Sequence, residues 1–286
     1  MIEVKPFYDA ATFTLTFLVY DSSSKDAVVI DPVMDYDPQG SVISHEQSDA
    51  ITEFVKNKNL SLHYILETHA HADHLSSSQV LKKRFPKALV VIHEKIKEVQ
   101  KVFKGVFNFE ETFPTDGSQF DRLLKDNESF KAGSIVIKVL HTPGHTPACA
   151  SFLIEDHLFT GDALFMPDYG TGRCDFPSGS SDNLFESIQK IYQLPDSTKV
   201  YVGHDYQPNG RALEFQSTIG EEKRSNIQLN ENTKKEDFIQ FRNRRDNTLK
   251  APRLLLPSIQ VNINAGHLPK PEANGKAYLK IPLNVS

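Results

Sequence analysis

The chain has 286 residues, of which 39% are hydrophobic and 24% charged, a composition typical of a globular protein with room for one large domain or two small ones. Its two cysteines, Cys149 and Cys174, exclude a disulfide framework and any zinc site built mainly from thiolates, so a metal would need histidine and carboxylate ligands. The net charge of −5 offers no overall attraction to nucleic acid or to an anionic membrane.

Hydrophobic patterns predict alternating strands and helices in the N-terminal part of the chain. Strands are predicted at 13–20, 27–30, 64–66 and 88–92. The first two are separated by a short polar turn, which is typical of a hairpin. Capping boxes at Ser44 and Ser76 predict the starts of two helices, and Pro86 predicts the end of the second.

The pattern returns to strands after residue 134. Strands are predicted at 135–140, 149–154, 157–160 and 200–202, and a helix at 183–192. Two runs of strands, each accompanied by helices, favour the α+β class. We therefore expect two mixed sheets that pack face to face, with helices on the outside of each.

Residues 1–210 are expected to form this layered core, and residues 211–286 a C-terminal extension packed on it. A capping box at Thr233 predicts one helix in the extension, with Phe238 and Phe241 as its apolar residues. The tail from Pro252 onward is expected to be irregular. Because it is too apolar for a solvated linker, we expect it to contact the core or a second subunit, and the latter would make the protein a homodimer.

A histidine-rich stretch directly after the predicted strand 64–66 carries the main chemical signal. His69, His71, Asp73 and His74 form a His-x-His-x-Asp-His pattern. Imidazole nitrogen and carboxylate oxygen suit divalent metals such as zinc and iron, and a loop between a strand and a helix lets neighbouring side chains converge on one point. A single histidine is usually structural, but four such residues at this spacing predict a metal site.

Three more candidates, each preceded by a glycine, stand at predicted strand ends: His145, Asp162 and His204. They are far apart in sequence, so only folding would bring them to the first cluster, as is typical of an active site. The other six histidines have no such neighbours, and we expect them to be structural or exposed: His45, His63, His93, His141, His157 and His267.

These motifs resemble those of the metallo-β-lactamase superfamily, whose pattern is His-x-His-x-Asp-His followed by a Gly-His, a Gly-Asp and a final histidine. The resemblance spans about residues 13–206 and implies an αββα sandwich with the metal site at one edge of the two sheets. Four segments are similar to the persulfide dioxygenase branch: Glu67-Thr68-His69, His145-Thr146-Pro147, Gly172-Arg173-Cys174-Asp175-Phe176 and His204-Asp205-Tyr206. That branch resembles glyoxalase II but oxidises glutathione persulfide to sulfite and glutathione with O₂.

The resemblance implies one Fe(II) per chain, with His69, His145 and Asp162 as its ligands. The other four metal-capable residues would hydrogen-bond the ligands and bound water, or complete a site for two metals: His71, Asp73, His74 and His204. In the second arrangement, similar to glyoxalase II, two ions such as zinc would be bridged by Asp162, and His71 would join the first ion. A bridging hydroxide would then cleave a glutathione thioester. The motif allows both arrangements, and the flanking segments favour the dioxygenase.

Glutathione carries two carboxylates, so its binding site needs cationic and hydroxyl groups. Arg173 is expected to bind a carboxylate through its two-pronged guanidinium, and Tyr206 to donate a hydrogen bond near the metal. The competing interpretations are an ion pair of Arg173 with Asp175 or Asp168, and a packing role for Tyr206. Cys174, beside Arg173, could be oxidised, and its reactivity stays open. The expected partners are glutathione persulfide and O₂.

Basic residues between 234 and 253 raise one further alternative, since some members of the superfamily cut RNA. Acidic neighbours dilute the positive charge, so we interpret this stretch as a solvated mixed-charge helix and expect no nucleic-acid partner. No apolar run approaches about 18 residues, and the N-terminus lacks the layout of a secretory signal. We therefore expect no membrane association and a cytoplasmic location.

Overall fold

The computed structural model of the protein describes residues 1–284, which form sixteen strands and seven helices. The strands are β1 (Ile2–Asp9), β2 (Thr14–Asp21), β3 (Asp26–Ile30), β4 (Val33–Met34), β5 (Tyr36–Asp37), β6 (Val42–Ile43), β7 (Ser61–Leu66), β8 (Leu75–Ser76), β9 (Leu89–His93), β10 (Arg122–Leu124), β11 (Ser129–Ala132), β12 (Ile135–His141), β13 (Ala150–Ile154), β14 (His157–Phe159), β15 (Lys199–Tyr201) and β16 (Gln216–Thr218). The helices are α1 (Glu46–Asn57), α2 (Ser78–Arg84), α3 (Ile96–Val106), α4 (Ser181–Ile191), α5 (Ile219–Ser225), α6 (Lys235–Asp246) and α7 (Leu255–Asn262). Within residues 1–284, no helix combines the length and the apolar character needed to cross a membrane.

Two six-stranded sheets form the centre of the molecule. The first has the order β1-β2-β3-β7-β9-β10, and the second has the order β11-β12-β13-β14-β15-β16. Both sheets are mixed, because β3, β7, β9 and β10 pair in parallel in the first and β14 pairs in parallel with β15 in the second. The expected α+β sandwich of two mixed sheets with flanking helices is confirmed.

Side chains of β2 and β3 alternate between the two faces of the first sheet, as strand geometry requires. Phe17 and Val28 join the core between the sheets, where they share one cluster with Phe152 of β13. Leu18 and Val29 belong to a second cluster with the buried residues of α1, α2 and α3. Because both faces are covered, these strands are continuous apolar runs in the sequence.

The helices predicted from capping boxes form, but the predicted caps are wrong. Neither Ser44, Ser76 nor Thr233 caps the helix that follows it. The hydroxyl of Ser76 instead donates to the buried carboxylate of Glu67, and that of Thr233 donates to Asn230. A serine or threonine hydroxyl that finds such a partner is no longer free to cap a helix.

The C-terminal tail contains a helix that the sequence patterns did not indicate. The expectation of an irregular tail is wrong for Leu255–Asn262, which form α7. Pro257 lies in the first turn of this helix, where a missing amide hydrogen breaks no helical hydrogen bond. Ile259 and Ile263 are fully buried in the cluster formed by the first sheet and α1, α2 and α3. The sequence patterns also missed β1 and α3.

Candidate metal centre

Four loops, each following a strand, meet at one edge of the two sheets. They follow β7, β12, β14 and β15 and carry the seven metal-capable residues: His69, His71, Asp73, His74, His145, Asp162 and His204. Glycines allow the close approach. A Cβ on Gly144 (φ +143°) would lie 2.4 Å from Leu184 Cα, and a Cβ on Gly161 (φ +51°) would lie 2.5 Å from Thr68 Oγ1. The loops converge because these two positions have no side chain.

His69, His145 and Asp162 form one tight group. Each offers a ligand atom, and these atoms all lie within 4.8 Å of one another. Asp162 Oδ2 lies 3.9 Å from His69 Nε2 and 3.7 Å from His145 Nε2. The structure therefore brings together, at one point, the three residues that the sequence predicts as iron ligands.

Hydrogen bonds fix the orientation of the two imidazoles. His145 Nδ1 donates to the carbonyl oxygen of Arg173 at 2.7 Å. His69 Nδ1 lies 3.0 Å from Thr68 Oγ1, whose own hydrogen is given to Asp31 Oδ2 at 2.7 Å. With both Nδ1 atoms engaged, the Nε2 lone pairs of the two rings remain available to a cation.

His71 has different partners. Its Nε2 lies 3.0 Å from Asp31 Oδ1 and 3.3 Å from Glu67 Oε2. Burial lowers the pKa of His71, but the Asp31 and Glu67 carboxylates outweigh burial and hold this pKa well above its usual range. The potential ligand atoms of His71, Asp73 and His74 also lie within 4.8 Å of one another, so these three residues form a second potential metal-binding group.

His204 completes the site on the side of the second sheet. Its Nε2 lies 3.2 Å from Asp162 Oδ1 and 3.4 Å from Asp73 Oδ2. Burial lowers the pKa of His204, but these two carboxylates reverse the effect and raise it to about 9. Burial alone would raise the pKa of Asp162, but His204, His69 and His145 hold it well below its usual range. Asp162 is thus placed between the predicted iron ligands and His204.

A cavity of about 530 Å³ opens above the centre. Asp73, His145 and Asp162 contribute to its floor, and four aromatic residues line it: Phe13, Phe165, Tyr169 and Tyr206. The ring of Tyr206 stacks on Tyr169 with 4.7 Å between centroids and on His204 with 5.5 Å. Burial raises the pKa of Tyr206 well above its usual range, so the phenol stays protonated and can donate a hydrogen bond.

Arg173 lines the same cavity, but its guanidinium already has partners. Its Nε donates to Asp175 Oδ1 at 2.5 Å, its Nη2 to the other oxygen of Asp175, and its Nη1 to the carbonyl oxygen of Lys250 at 2.8 Å. Asp168, the other predicted ion-pair partner, is paired with Arg211 instead. These bonds use three of its five N–H groups, and the substrate-binding role of Arg173 remains a prediction.

Two cavity residues that sequence reasoning missed lie at the mouth. Arg245 and Arg253 are exposed, line the cavity, and have no carboxylate within ion-pair distance among residues 1–284. Their neighbour Arg242 is fully buried and pairs with Asp246 at 2.7 Å. The interpretation of this stretch as a solvated helix is therefore wrong for Arg242, whereas Arg245 and Arg253 are exposed as expected but also line the cavity. No sequence signal separates the arginines that line the cavity from Arg244, which does not line it, because this difference depends on how the helix packs.

Other reactive groups lie outside the centre. Cys149 and Cys174 are free thiols, and both are buried. Burial raises the pKa of Cys149 to about 12 and also raises that of Cys174, so neither forms a thiolate readily, and a reactive Cys174 is disfavoured. None of the six histidines expected to be structural or exposed lines the cavity, and two of them, His93 and His141, stack with 4.2 Å between ring centroids.

A sequence profile of the metallo-β-lactamase superfamily matches residues 10–204, the segment that contains all seven metal-capable residues. The chain belongs to the metallo-β-lactamase superfamily. It is 49% identical over 284 residues to "Glyoxylase B2" of Dictyostelium discoideum, covering 99% of this chain and 97% of the relative. It is 32% identical over 231 residues to the mitochondrial persulfide dioxygenase ETHE1 of Homo sapiens, covering 80% of this chain and 76% of that protein.

Among solved structures, ETHE1 from Myxococcus xanthus is similar to this chain, with a TM-score of 0.73 and 31% sequence identity. The match covers 93% of this chain and 100% of that one. The superfamily and the αββα sandwich predicted from the sequence are confirmed, and the homologues include persulfide dioxygenases.

The site fits the metal ions that this superfamily binds. Within residues 1–284, three buried ring nitrogens at the centre have no hydrogen-bond partner: His69 Nε2, His71 Nδ1 and His74 Nε2. Buried polar atoms are rarely left unpaired in folded proteins. Unpaired ring nitrogens in both candidate groups are explained by coordination to a cation, since imidazole nitrogen is a common ligand of iron and zinc.

Proposed function

We propose that the protein is a sulfur dioxygenase that oxidises glutathione persulfide to sulfite and glutathione, with O₂, at a mononuclear non-haem Fe(II). The proposal depends mainly on the composition of one group, which contains His69, His145 and Asp162 but not His71 and whose ligand atoms lie within 4.8 Å of one another. Two imidazoles and one carboxylate are the ligand set of non-haem iron oxygenases. When bound there, ferrous iron supplies neighbouring open positions for O₂ and for the substrate sulfur.

The overall reaction consumes one persulfide, one O₂ and one water. The bond between the two sulfur atoms breaks, and the inner sulfur leaves as the thiol of glutathione. The outer sulfur is oxidised to sulfite, and O₂ accepts the four electrons that the persulfide loses overall. Two protons are released at neutral pH. The residues of this chain bind and orient the persulfide, and the aromatic wall that includes Phe165 and Tyr169 limits the access of bulk water.

Charge at the mouth of the cavity suits the two carboxylates of glutathione. Arg245 and Arg253 present guanidinium groups that no carboxylate of residues 1–284 neutralises. Guanidinium binds carboxylate through two parallel hydrogen bonds, which adds orientation to affinity. We propose that these arginines bind the ends of glutathione, while Tyr206 donates its hydroxyl hydrogen near the reacting sulfur.

A glyoxalase II-like hydrolase of glutathione thioesters is the second candidate. It is supported by the name of the Dictyostelium relative, "Glyoxylase B2", and by the position of Asp162 between the predicted iron ligands and His204. That arrangement needs His71 in the first metal group, whereas His71 is grouped with Asp73 and His74 and not with His69, His145 and Asp162. Zinc would be the expected metal in that case.

A nucleic-acid-processing metallohydrolase is less well supported. Arg242 is buried, and Lys235 is paired with Asp182 and Glu186, so the basic residues of α6 do not form one continuous basic face. We therefore propose glutathione persulfide and O₂ as the partners, with no nucleic acid and no membrane among them. We also propose a cytoplasmic location, consistent with two buried free thiols.

The test is anaerobic reconstitution of the metal-free protein with Fe(II), followed by an oxygen-electrode assay with glutathione persulfide. We expect O₂ uptake and sulfite in equal amounts. The same preparation, loaded with Zn(II), is then offered a glutathione thioester as a parallel assay. Thioester cleavage without O₂ uptake by the iron form would overturn the dioxygenase and establish the hydrolase.

A further inference from the structure

The last residue of α7 contacts the loop that carries the histidine cluster. Asn262 Nδ2 donates to the carbonyl oxygens of His71 at 2.8 Å and His74 at 2.7 Å. Its Oδ1 accepts from the amide of Ser76 at 2.8 Å. A side-chain amide offers two donor hydrogens and one carbonyl, so every polar group of Asn262 is used on this one loop.

The contact is deep inside the protein. Asn262 is 4% exposed, and His71 and His74 are 2% and 1% exposed. Within residues 1–284, no other amide or hydroxyl donates to the carbonyl oxygens of His71 and His74. Since a buried carbonyl without a donor is unfavourable, the loop depends on Asn262 to keep its backbone in this conformation.

The turn after α7 keeps Asn262 in place. Gln79 of α2 donates to the carbonyl oxygen of Ala265 at 2.8 Å, and Gln100 of α3 donates to that of Ile263 at 2.8 Å. Gly266 has φ +81°, and a Cβ on it would lie 3.3 Å from the carbonyl oxygen of Ser76. The end of α7 is therefore fixed against the same layer of helices as the loop itself.

The opposite side of the loop is held by Glu67. Its Oε1 accepts from the hydroxyls of Ser76 and Ser78, which joins the start of the loop to its end. Glu67, Ser76 and Ser78 lie beside the histidine cluster in the sequence, whereas Asn262 lies 191 positions after His71 and 188 after His74. The superfamily profile ends at residue 204, so it does not include Asn262.

We propose that Asn262 is a positioning residue of the metal centre, which holds the backbone between His71 and His74 so that the imidazoles of the loop are arranged before a metal binds. Asn262 acts on the backbone and does not touch the reacting atoms. The inference depends on the metal centre and not on which reaction the centre catalyses, so it can be tested without any substrate.

The experiment uses Co(II) as the probe of the metal-free full-length protein. Affinity is measured by competition with a chelator, and geometry by the visible absorption spectrum of the bound Co(II). Asn262→Ala removes all three hydrogen bonds. Asn262→Asp keeps the size and the acceptor but places a carboxylate against two carbonyl oxygens. Loss of partners that orient metal ligands typically lowers metal affinity about 10- to 100-fold, and we expect this decrease, with an altered spectrum, in both variants.

Asn264→Ala is the matched control, because Asn264 lies two residues further on, is half-buried, and its side-chain amide donates only to the carbonyl oxygen of His267 among residues 1–284. We expect wild-type affinity and spectrum for this variant. Circular dichroism identifies the variants that remain folded. A folded Asn262 variant with wild-type Co(II) affinity and spectrum, even at lower thermal stability, would overturn the proposal.

One further measurement needs no variant. If Asn262 holds the loop before metal binds, the Ser76 amide should be strongly protected from hydrogen exchange in the metal-free wild-type protein, and added Co(II) should change its exchange rate by less than about threefold. Fast exchange of this amide without metal would contradict the proposal, because the loop would then become ordered only when the metal binds.

Discussion

The four loops of the metal centre and the C-terminal region after residue 211 contribute to the same site in different ways. The loops supply side chains that face one point, among them His69, His145 and Asp162. Up to residue 284, the C-terminal region supplies no candidate metal ligand, but Asn262 holds the backbone of one loop and Arg245 and Arg253 line the mouth of the cavity. The loops supply the metal-binding side chains, and the C-terminal region supports the backbone of one loop and places cations at the entrance to the cavity.

The buried ion pair of α6 shows the same division of roles. Arg242 donates to Asp246 and to the carbonyl oxygen of Thr171, while Asp246 accepts from the amide of Cys174. This network fixes the backbone on both sides of Arg173. The C-terminal region therefore positions two of the loops that surround the cavity, one through α7 and one through α6.

The largest difference between the roles of the two regions is expected when a metal-binding side chain of the loops is removed. Asp162→Ala deletes the carboxylate shared by His69, His145 and His204, and we expect bound metal and O₂ uptake to fall by more than about 100-fold. Metal analysis and the oxygen electrode measure this. Asp156→Ala, at an exposed position paired with Lys199, should match wild type. Full metal content in Asp162→Ala would remove Asp162 from the centre.

Breaking the α6 network tests the structural role of the C-terminal region. Arg242→Ala leaves the Asp246 carboxylate buried without its cation, and we expect the free energy of unfolding to fall by about 3–5 kcal/mol. Urea denaturation measures the change. The exposed neighbour Arg244→Ala should stay within about 0.5 kcal/mol of wild type. Equal stability of the two variants would show that the network does not hold the loop.

The mouth of the cavity gives a smaller and purely kinetic effect. Arg245→Ala and Arg253→Ala each remove a cation without touching the centre, so we expect KM for glutathione persulfide to rise about tenfold while kcat stays near wild type. Steady-state O₂ uptake at varied persulfide separates the two constants. Arg244→Ala is again the control. A fall in kcat with unchanged KM would mean that these arginines do not bind the substrate.

The smallest expected effect concerns pH. Burial raises the pKa of Glu222 to about 8, although Ser217 and Asn226 donate to its carboxylate. In the folded protein Glu222 therefore keeps its proton up to about pH 8, whereas in the unfolded chain it loses the proton near its ordinary pKa of 4.5. Proton binding by the folded state stabilises the protein at low pH, and this stabilisation is lost as the pH rises from about 4.5 to about 8.

We expect the Tm of wild type to fall by at least about 2–4 °C more than that of Glu222→Gln between pH 5 and pH 8, and calorimetry at both pH values measures it. Glu221→Gln, on the same helix but not buried, is the matched control and should follow wild type. Parallel pH curves for wild type and Glu222→Gln would show that Glu222 is ionised throughout.

Much of the sandwich could be predicted because its strands are buried on both faces and are apolar runs in the sequence, as in β3 and β12. The metal-capable residues could be predicted because four of them lie within the six positions 69–74 and three follow glycines. Helix caps could not, since the hydroxyl of Ser76 bonds to a carboxylate that only folding brings near. The local sequence pattern predicts the secondary structure of each segment, but the hydrogen-bond partners of its polar side chains depend on residues that folding brings near.

The contribution of the C-terminal region could not be predicted for a related reason. Arg242, Arg244 and Arg245 lie within four residues, yet one is buried in an ion pair, one is exposed, and one lines the cavity. Asn262 has no motif, and its importance comes from carbonyl groups about 190 positions earlier in the chain. These roles depend on the packing of α6 and α7, which composition and spacing do not encode.

The most direct test of the account is the number of iron ions needed for activity. Metal-free protein is titrated anaerobically with Fe(II), and the initial rate of O₂ uptake with glutathione persulfide is measured after each addition. For a mononuclear centre we expect a linear rise that stops at one Fe(II) per chain. A rise that continues to two equivalents would contradict it, because His69, His145 and Asp162 would then form only half of the centre.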